Sequence, residues 1–129
     1  MKQLAGKKPL ILIVEVEHQV GDTVWLEMKR ELGEDYEVCV VGTVGDAIDV
    51  YDRYKLRIPV MTFESEVPSG QCFLTATDLL HYVQEDVEFH GTLIASPCFR
   101  EEELARSMSN TCQWNGCLIP AIKKILADV

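Results

Sequence analysis

The sequence predicts a three-layer α/β fold, a doubly wound (βα)₅ chain around a parallel five-stranded sheet. Three observations carry this. Short aliphatic runs recur along the chain, each is followed by a stretch with apolar residues at helical spacing, and Gly or Pro marks the junctions. At 129 residues the chain has the size of one domain able to bury its own core.

The first run, Leu10–Val14, is short and aliphatic, as expected of a strand covered on both faces. Val20, Val24, Met28 and Leu32 follow at helical spacing with charges between them, and Gly33 supplies the stop. The same alternation predicts a strand at Glu37–Val41 and a helix over Val44–Tyr54 that buries Ala47, Ile48 and Tyr51. A third strand is predicted at 58–63, then a loop at 64–70 marked by Pro68, Ser69 and Gly70. Phe73, Ala76, Leu80, Val83 and Val87 predict a third helix, residues 91–95 a fourth strand and 101–108 a fourth helix. Residues 117–119 read as the fifth strand. Pro120 then opens a last helix whose apolar face is Ile122, Ile125, Leu126 and Val129. Residues 1–8 read as a disordered or added N-terminal tail and 9–129 as the folded domain.

Composition narrows the function. The formal charge of -9 repels a phosphate backbone, so direct nucleic-acid binding is not expected. The longest apolar run is far shorter than the roughly 20 residues of a membrane helix, and the lysine-bearing start lacks a signal-peptide pattern, so a cytoplasmic domain without membrane contact is expected. Cys39, Cys72, Cys98, Cys112 and Cys117 contain no CxxC pair and read as reduced thiols rather than as a disulfide framework or zinc site. His81 and His90 are too far apart for a metal pair on one helix, and His81 is expected on a solvated helix face. The run Glu101, Glu102, Glu103 complements a helix dipole.

In open doubly wound sheets the binding crevice lies outside the carboxyl ends of the strands. Residues 15–18, 64–69, Ser96 and 119–120 are therefore expected to converge. The acidic pocket predicted there consists of Glu15, Glu17 and Glu64, with the Ser96 hydroxyl beside it. Two neighbouring carboxylates without a cation disfavour joint ionisation, and His18 and Arg100 are the nearby groups that could relieve this.

At these residues the chain resembles the receiver domains of two-component response regulators, over essentially its whole length. LILIVEVE, residues 10–17, is similar to the aliphatic strand ending in two aspartates and a glutamate, with Glu15 and Val16 at the two aspartates. VMTFESEVPSG, residues 60–70, resembles the strand and loop of the phosphorylated aspartate, which puts Glu64 at the phosphoacceptor. LIAS, residues 93–96, resembles the strand that ends in the switch hydroxyl, here Ser96. LIP, residues 118–120, resembles the lysine-proline end of the fifth strand, with Ile119 at the lysine. The resemblance implies a flavodoxin-like sheet of order 2-1-3-4-5 and, as often in the family, a bend with a cis peptide that Ile119–Pro120 could keep.

The substitutions decide the expected chemistry. Phosphoryl transfer to a carboxylate relies on charge neutralisation, and Val16 removes a hard oxygen ligand while Ile119 removes the fixed cation. Glu64 is one methylene longer than aspartate. A degenerate receiver, or pseudo-receiver, is therefore expected, with no enzyme activity, no cofactor, no Mg²⁺ site and no phosphorylation. The resemblance implies that it acts by contact with a histidine kinase or an output or effector domain. The resemblance also implies a partner or homodimer surface on the fourth helix, fifth strand and last helix. Glu64 as a fixed mimic of the phosphorylated state is weighed against a solvated carboxylate. The alternatives are a receiver that is still phosphorylated or binds Mg²⁺, and a small-molecule or redox domain using Cys98, which lies at a predicted helix start near Arg100. Trp25 and Trp114 read as partner-surface aromatics or, more simply, as partly buried edge residues.

Overall fold

The computed structural model describes residues 8–15, 18–64, 67–95, 111–113 and 118–127. Strand β1 spans Leu10–Val14, helix α1 His18–Leu32, β2 Glu37–Val41, α2 Val44–Tyr54 and β3 Val60–Phe63. Helix α3 spans Ala76–Gln84, β4 Thr92–Ala95, β5 Thr111–Gln113 and α4 Leu118–Ala127. All neighbouring strands pair parallel, in the order β2-β1-β3-β4-β5. This is the flavodoxin-like arrangement that the receiver resemblance implies. No helix among the described residues is long and apolar enough to cross a membrane.

The sheet divides the core in two. Alternate residues of a strand point to opposite faces, so Leu10, Leu12 and Val14 join the layer under α2 and α3 while Ile11 and Ile13 join the layer under α1 and α4. The first layer holds Val44, Ala47, Tyr51, Leu79, Leu80 and Val83; the second holds Met28, Val60, Ile94 and Ile122. α1 ends at Gly33, whose φ of 66° is the left-handed turn that glycine adopts without a Cβ penalty.

Two expected elements move. The fifth strand is Thr111–Gln113, paired with Leu93, Ile94 and Ala95, and not residues 117–119. Ile119 stands in the first turn of α4 and packs on the second core layer with Ile122, Ile125 and Leu126. Spacing of three to four residues from Ile119 to Leu126 is a helical stripe, and Pro120 fits an opening turn whose amides have no helical partner. The assignment of Ile119 to a strand end is corrected accordingly.

The third helix is also shorter than expected. Thr75 caps it, accepting from the Asp78 amide at 3.1 Å while Asp78 accepts from the Thr75 amide at 2.9 Å. Phe73 and Val87 fall outside α3 and are 100% and 88% exposed, so neither belongs to its buried face. The fourth helix expected at 101–108 lies outside the described residues, as do residues 1–7 of the expected tail. Lys8 is held by its carbonyl, which accepts from Arg57 Nε at 3.0 Å and Nη2 at 2.8 Å.

Candidate functional site at the strand ends

The parallel register sets the two described acids side by side. Ile11 pairs with Val60 and Ile13 with Thr62, and the same register carried two residues further aligns Glu15 with Glu64. Neighbouring strands lie about 4.8 Å apart, so the two residues leave adjacent strands at one level. Both are half-buried. The Glu15 amide donates to the Val41 carbonyl at 2.9 Å, continuing the β1–β2 ladder one residue past the strand. Below them Thr62, buried on β3, accepts from the Val14 amide through Oγ1 at 3.2 Å. This cross-strand bond fixes the last residue before Glu15.

The loop residues from Val67 onward are tied to α2. The amides of Val44 and Gly45, among the first donors of α2 without helical partners, donate to the carbonyls of Pro68 at 2.8 Å and Ser69 at 3.1 Å. Thr43 caps the same helix by accepting from the Asp46 amide at 3.1 Å. Gly70 takes a φ of 74°, and a Cβ there would lie 2.8 Å from Thr43 Cβ. Ser69 Oγ donates to the Leu74 carbonyl at 2.6 Å, and the Cys72 thiol donates to the Ser69 carbonyl at 3.2 Å. Val67 is buried beneath the loop.

Of the residues expected to converge, Glu15 and Glu64 are brought together. Val16, Glu17, Ser96, Cys98, Arg100 and Trp114 lie outside the described residues, as does the side chain of His18. Ile119 is turned into the core of α1 and α4. The peptide before Pro120 is not cis. Among the described residues no three His, Cys, Asp or Glu side chains gather as a metal site. The carboxylates described at the carboxyl ends of β1 and β3 are Glu15 and Glu64, and valine at 16 adds no side-chain oxygen. Of the described thiols, Cys39 is pushed up by burial, away from thiolate chemistry.

Sequence reasoning missed a second cluster, at the amino ends of the strands. The Tyr51 hydroxyl donates to Asp86 Oδ2 at 2.5 Å, and Lys55 Nζ meets the same oxygen at 3.0 Å and Glu88 at 2.7 Å. The Tyr51 ring packs against Tyr82 and Phe89 at centroid distances of 5.8 and 5.6 Å, and the Tyr82 hydroxyl donates to Asp52 at 2.7 Å. Burial, with Asp86 second, holds the Tyr51 hydroxyl far above its ordinary range. Hydrogen bonds to Glu88 and then Asp86 raise Lys55. Burial pulls Asp86 upward, but bonds from Tyr51, the Glu88 amide and Lys55 outweigh it, and its carboxyl sits below the usual value. The buried spacing of Tyr51 on α2 was legible; its partner 35 residues away was not.

Trp25 resolves as an edge residue. Its Nε1 donates to the Val38 carbonyl at 3.0 Å, closing one acceptor on the outer side of edge strand β2. His81, expected on a solvated face, is half-buried.

No protein-family model and no curated protein matches the chain. Solved structures do. A response regulator receiver domain protein from Clostridium thermocellum superposes with a TM-score of 0.66 at 12% identity, covering 93% of this chain and 95% of that one. A response regulator receiver protein from Pseudomonas putida gives 0.66 at 13% identity, over 96% of this chain and 99% of that one. The Mn²⁺-bound form of response regulator Rcp1 gives 0.62 at 12% identity, over 92% and 90%. Over more than nine-tenths of its length, this chain has the fold of the response-regulator receiver domains.

Proposed function

We propose that this domain is a receiver-like signalling module of a two-component phosphorelay that works by protein contact in the cytoplasm, without phosphorylation at Glu64. The observation that carries the reading is the receiver fold with Glu64 rather than aspartate leaving β3 beside Glu15. A carboxylate one methylene longer displaces the accepting oxygen, and valine at 16 withholds a metal ligand, so charge neutralisation of a phosphoryl group is weakened at two places. Its partner is a histidine kinase or an output domain. It catalyses no reaction of its own and does not contact nucleic acid directly.

The test is direct. The protein incubated with acetyl phosphate and Mg²⁺ is expected to show no gain of a phosphoryl group by intact mass. A gain that disappears in Glu64→Gln would overturn the reading. A second reading, metal binding without phosphorylation, is favoured by the Mn²⁺ held by the similar Rcp1 structure. Quenching of tryptophan fluorescence during a Mn²⁺ or Mg²⁺ titration, lost in the Glu15→Gln variant, would establish it.

A further inference from the structure

The seam between α2 and α3 carries an acidic, aromatic surface that the strand-end site does not use. Asp78, His81 and Tyr82 of α3 and Glu85, which caps its C-terminus, follow the i, i+3, i+4, i+7 spacing of a single helical stripe, and Leu74 lies four residues before Asp78. On α2, Asp46, Asp49 and Asp52 recur every three residues. Two shallow depressions follow the seam. One, of about 600 Å³, is lined by Lys55, Leu74, Asp78, His81, Tyr82, Glu85 and Asp86. The other, of about 200 Å³, is lined by Gly45, Asp46, Ile48, Asp49, Gln71 and Cys72. They approach each other at loop residues 71–74, where Phe73 is 100% exposed and Leu74 and Tyr82 are 38% and 43% exposed.

A fully exposed phenylalanine gains free energy when a partner covers it. The charge around it selects the partner. Asp46, Asp49, Asp52, Asp78 and Glu85 stand along the two depressions or on α2 beside them, and the Lys55 charge is matched by Asp86 and Glu88. A second copy of the chain, itself at -9, is repelled by this surface, and so is nucleic acid.

We propose that this face docks a cationic amphipathic helix of a partner protein, its apolar anchor against Phe73, Leu74 and Tyr82 and its Lys or Arg residues along the acidic rims. The inference rests on the reading of the domain as a protein-contact module and places the contact on α2 and α3, away from Glu64. Helix-in-groove recognition needs this combination of apolar anchors and complementary charge.

The probe is a labelled synthetic helix with Leu at i, i+3, i+4 and i+7 and Lys elsewhere, read by fluorescence anisotropy. The control peptide has the same composition in scrambled order. The native protein is expected to bind the amphipathic peptide at least about tenfold more tightly than the scrambled one, a difference of about 1.4 kcal/mol. Phe73→Ser and Glu85→Lys should each weaken binding about tenfold. Glu34→Lys, an equal charge change at the exposed α1–β2 turn, should leave affinity within about twofold. Amide shift changes should gather on 46–52, 73–74 and 78–85.

Equal binding of the two peptides, unchanged binding by Phe73→Ser, an equal loss in Glu34→Lys, or shifts gathered on α4 would each overturn the proposal. Positions 34, 73 and 85 are exposed, and thermal melts of the variants check the fold. Peptide binding is measured on unphosphorylated protein. A failure here therefore leaves the mass test at Glu64 untouched, and a phosphorylated Glu64 leaves the peptide result standing.

Discussion

At the scale of single residues, the most consequential group in the described structure is a tyrosine hydroxyl. Tyr51 is fully buried, and its hydroxyl spends its proton on an ionised Asp86 that Lys55 and the Glu88 amide also hold. A hydrogen bond to a charged group is worth about 1.5 to 3 kcal/mol, so Tyr51→Phe is expected to lose about that much in chemical denaturation while keeping the ring packing against Tyr82 and Phe89. The pH dependence separates this from a loss of packing. Asp86 is depressed below its ordinary 3.8, so the stability it contributes is present above that value and is lost as pH falls through the depressed one. Tyr51 and Lys55 are raised above 10.0 and 10.5, so their contributions are present below those values and are lost as pH rises through the raised ones. Tyr51→Phe should therefore flatten both limbs of the stability profile, the alkaline one by removing a titrating group and the acid one by returning Asp86 toward its ordinary value. A uniform drop with unchanged limbs would refute the hydroxyl's role.

At the scale of elements, the loop from Val67 to Thr75 is a fixed piece of structure attached to α2. Its two carbonyl acceptors for Val44 and Gly45, and the left-handed Gly70 pressed against Thr43, form one joint. A non-glycine residue in that backbone region costs about 1 to 2 kcal/mol before any clash, and here the added methyl meets a branched carbon at 2.8 Å. Gly70→Ala is expected to lower stability by about 2 kcal/mol or more. Hydrogen exchange should speed up at the Val44 and Gly45 amides, whereas unchanged exchange there would show that the joint does not depend on Gly70. Sequence patterning found the loop from Pro68, Ser69 and Gly70 but not its attachment, because a carbonyl of one segment capping another helix leaves no side-chain signature. It misjudged the start of α3 for the opposite reason. Phe73 fits the apolar spacing, but the Thr75 and Asp78 capping box three residues apart sets the boundary and leaves Phe73 in solvent. At β5 and α4 the aliphatic run through Ile119 reads equally as strand or helix until the stripe with Ile122 is followed to Leu126.

At the scale of the whole molecule, one sheet serves two cores. The aliphatic runs revealed strands buried on both faces, and alternation along β1 alone sorts Leu12 from Ile13; the order of the strands came only with the receiver resemblance, since a parallel crossover leaves no local mark of its neighbour. The placement of Glu15 and Glu64 at the carboxyl ends of β1 and β3 was legible, because topology sets those two residues there. The docking seam was not, because it depends on which faces of α2 and α3 remain uncovered. The shared sheet has a mechanical consequence. Leu80 of α3 and Ile122 of α4 are both fully buried, in opposite layers. Each truncation to alanine is expected to cost about 2 to 5 kcal/mol, since the cavity left behind relaxes only in part. With the sheet between them and no shared partners, their effects should add to within about 0.5 kcal/mol. Yet β1, β3 and β4 contribute side chains to both layers, so neither layer can melt while the other keeps its strands. Leu80→Ala, Ile122→Ala and the double variant should each unfold in one transition, with coincident fluorescence and circular dichroism curves. Separate transitions in the double variant would mean that the two layers are held by different strands, contrary to the alternation along β1, β3 and β4.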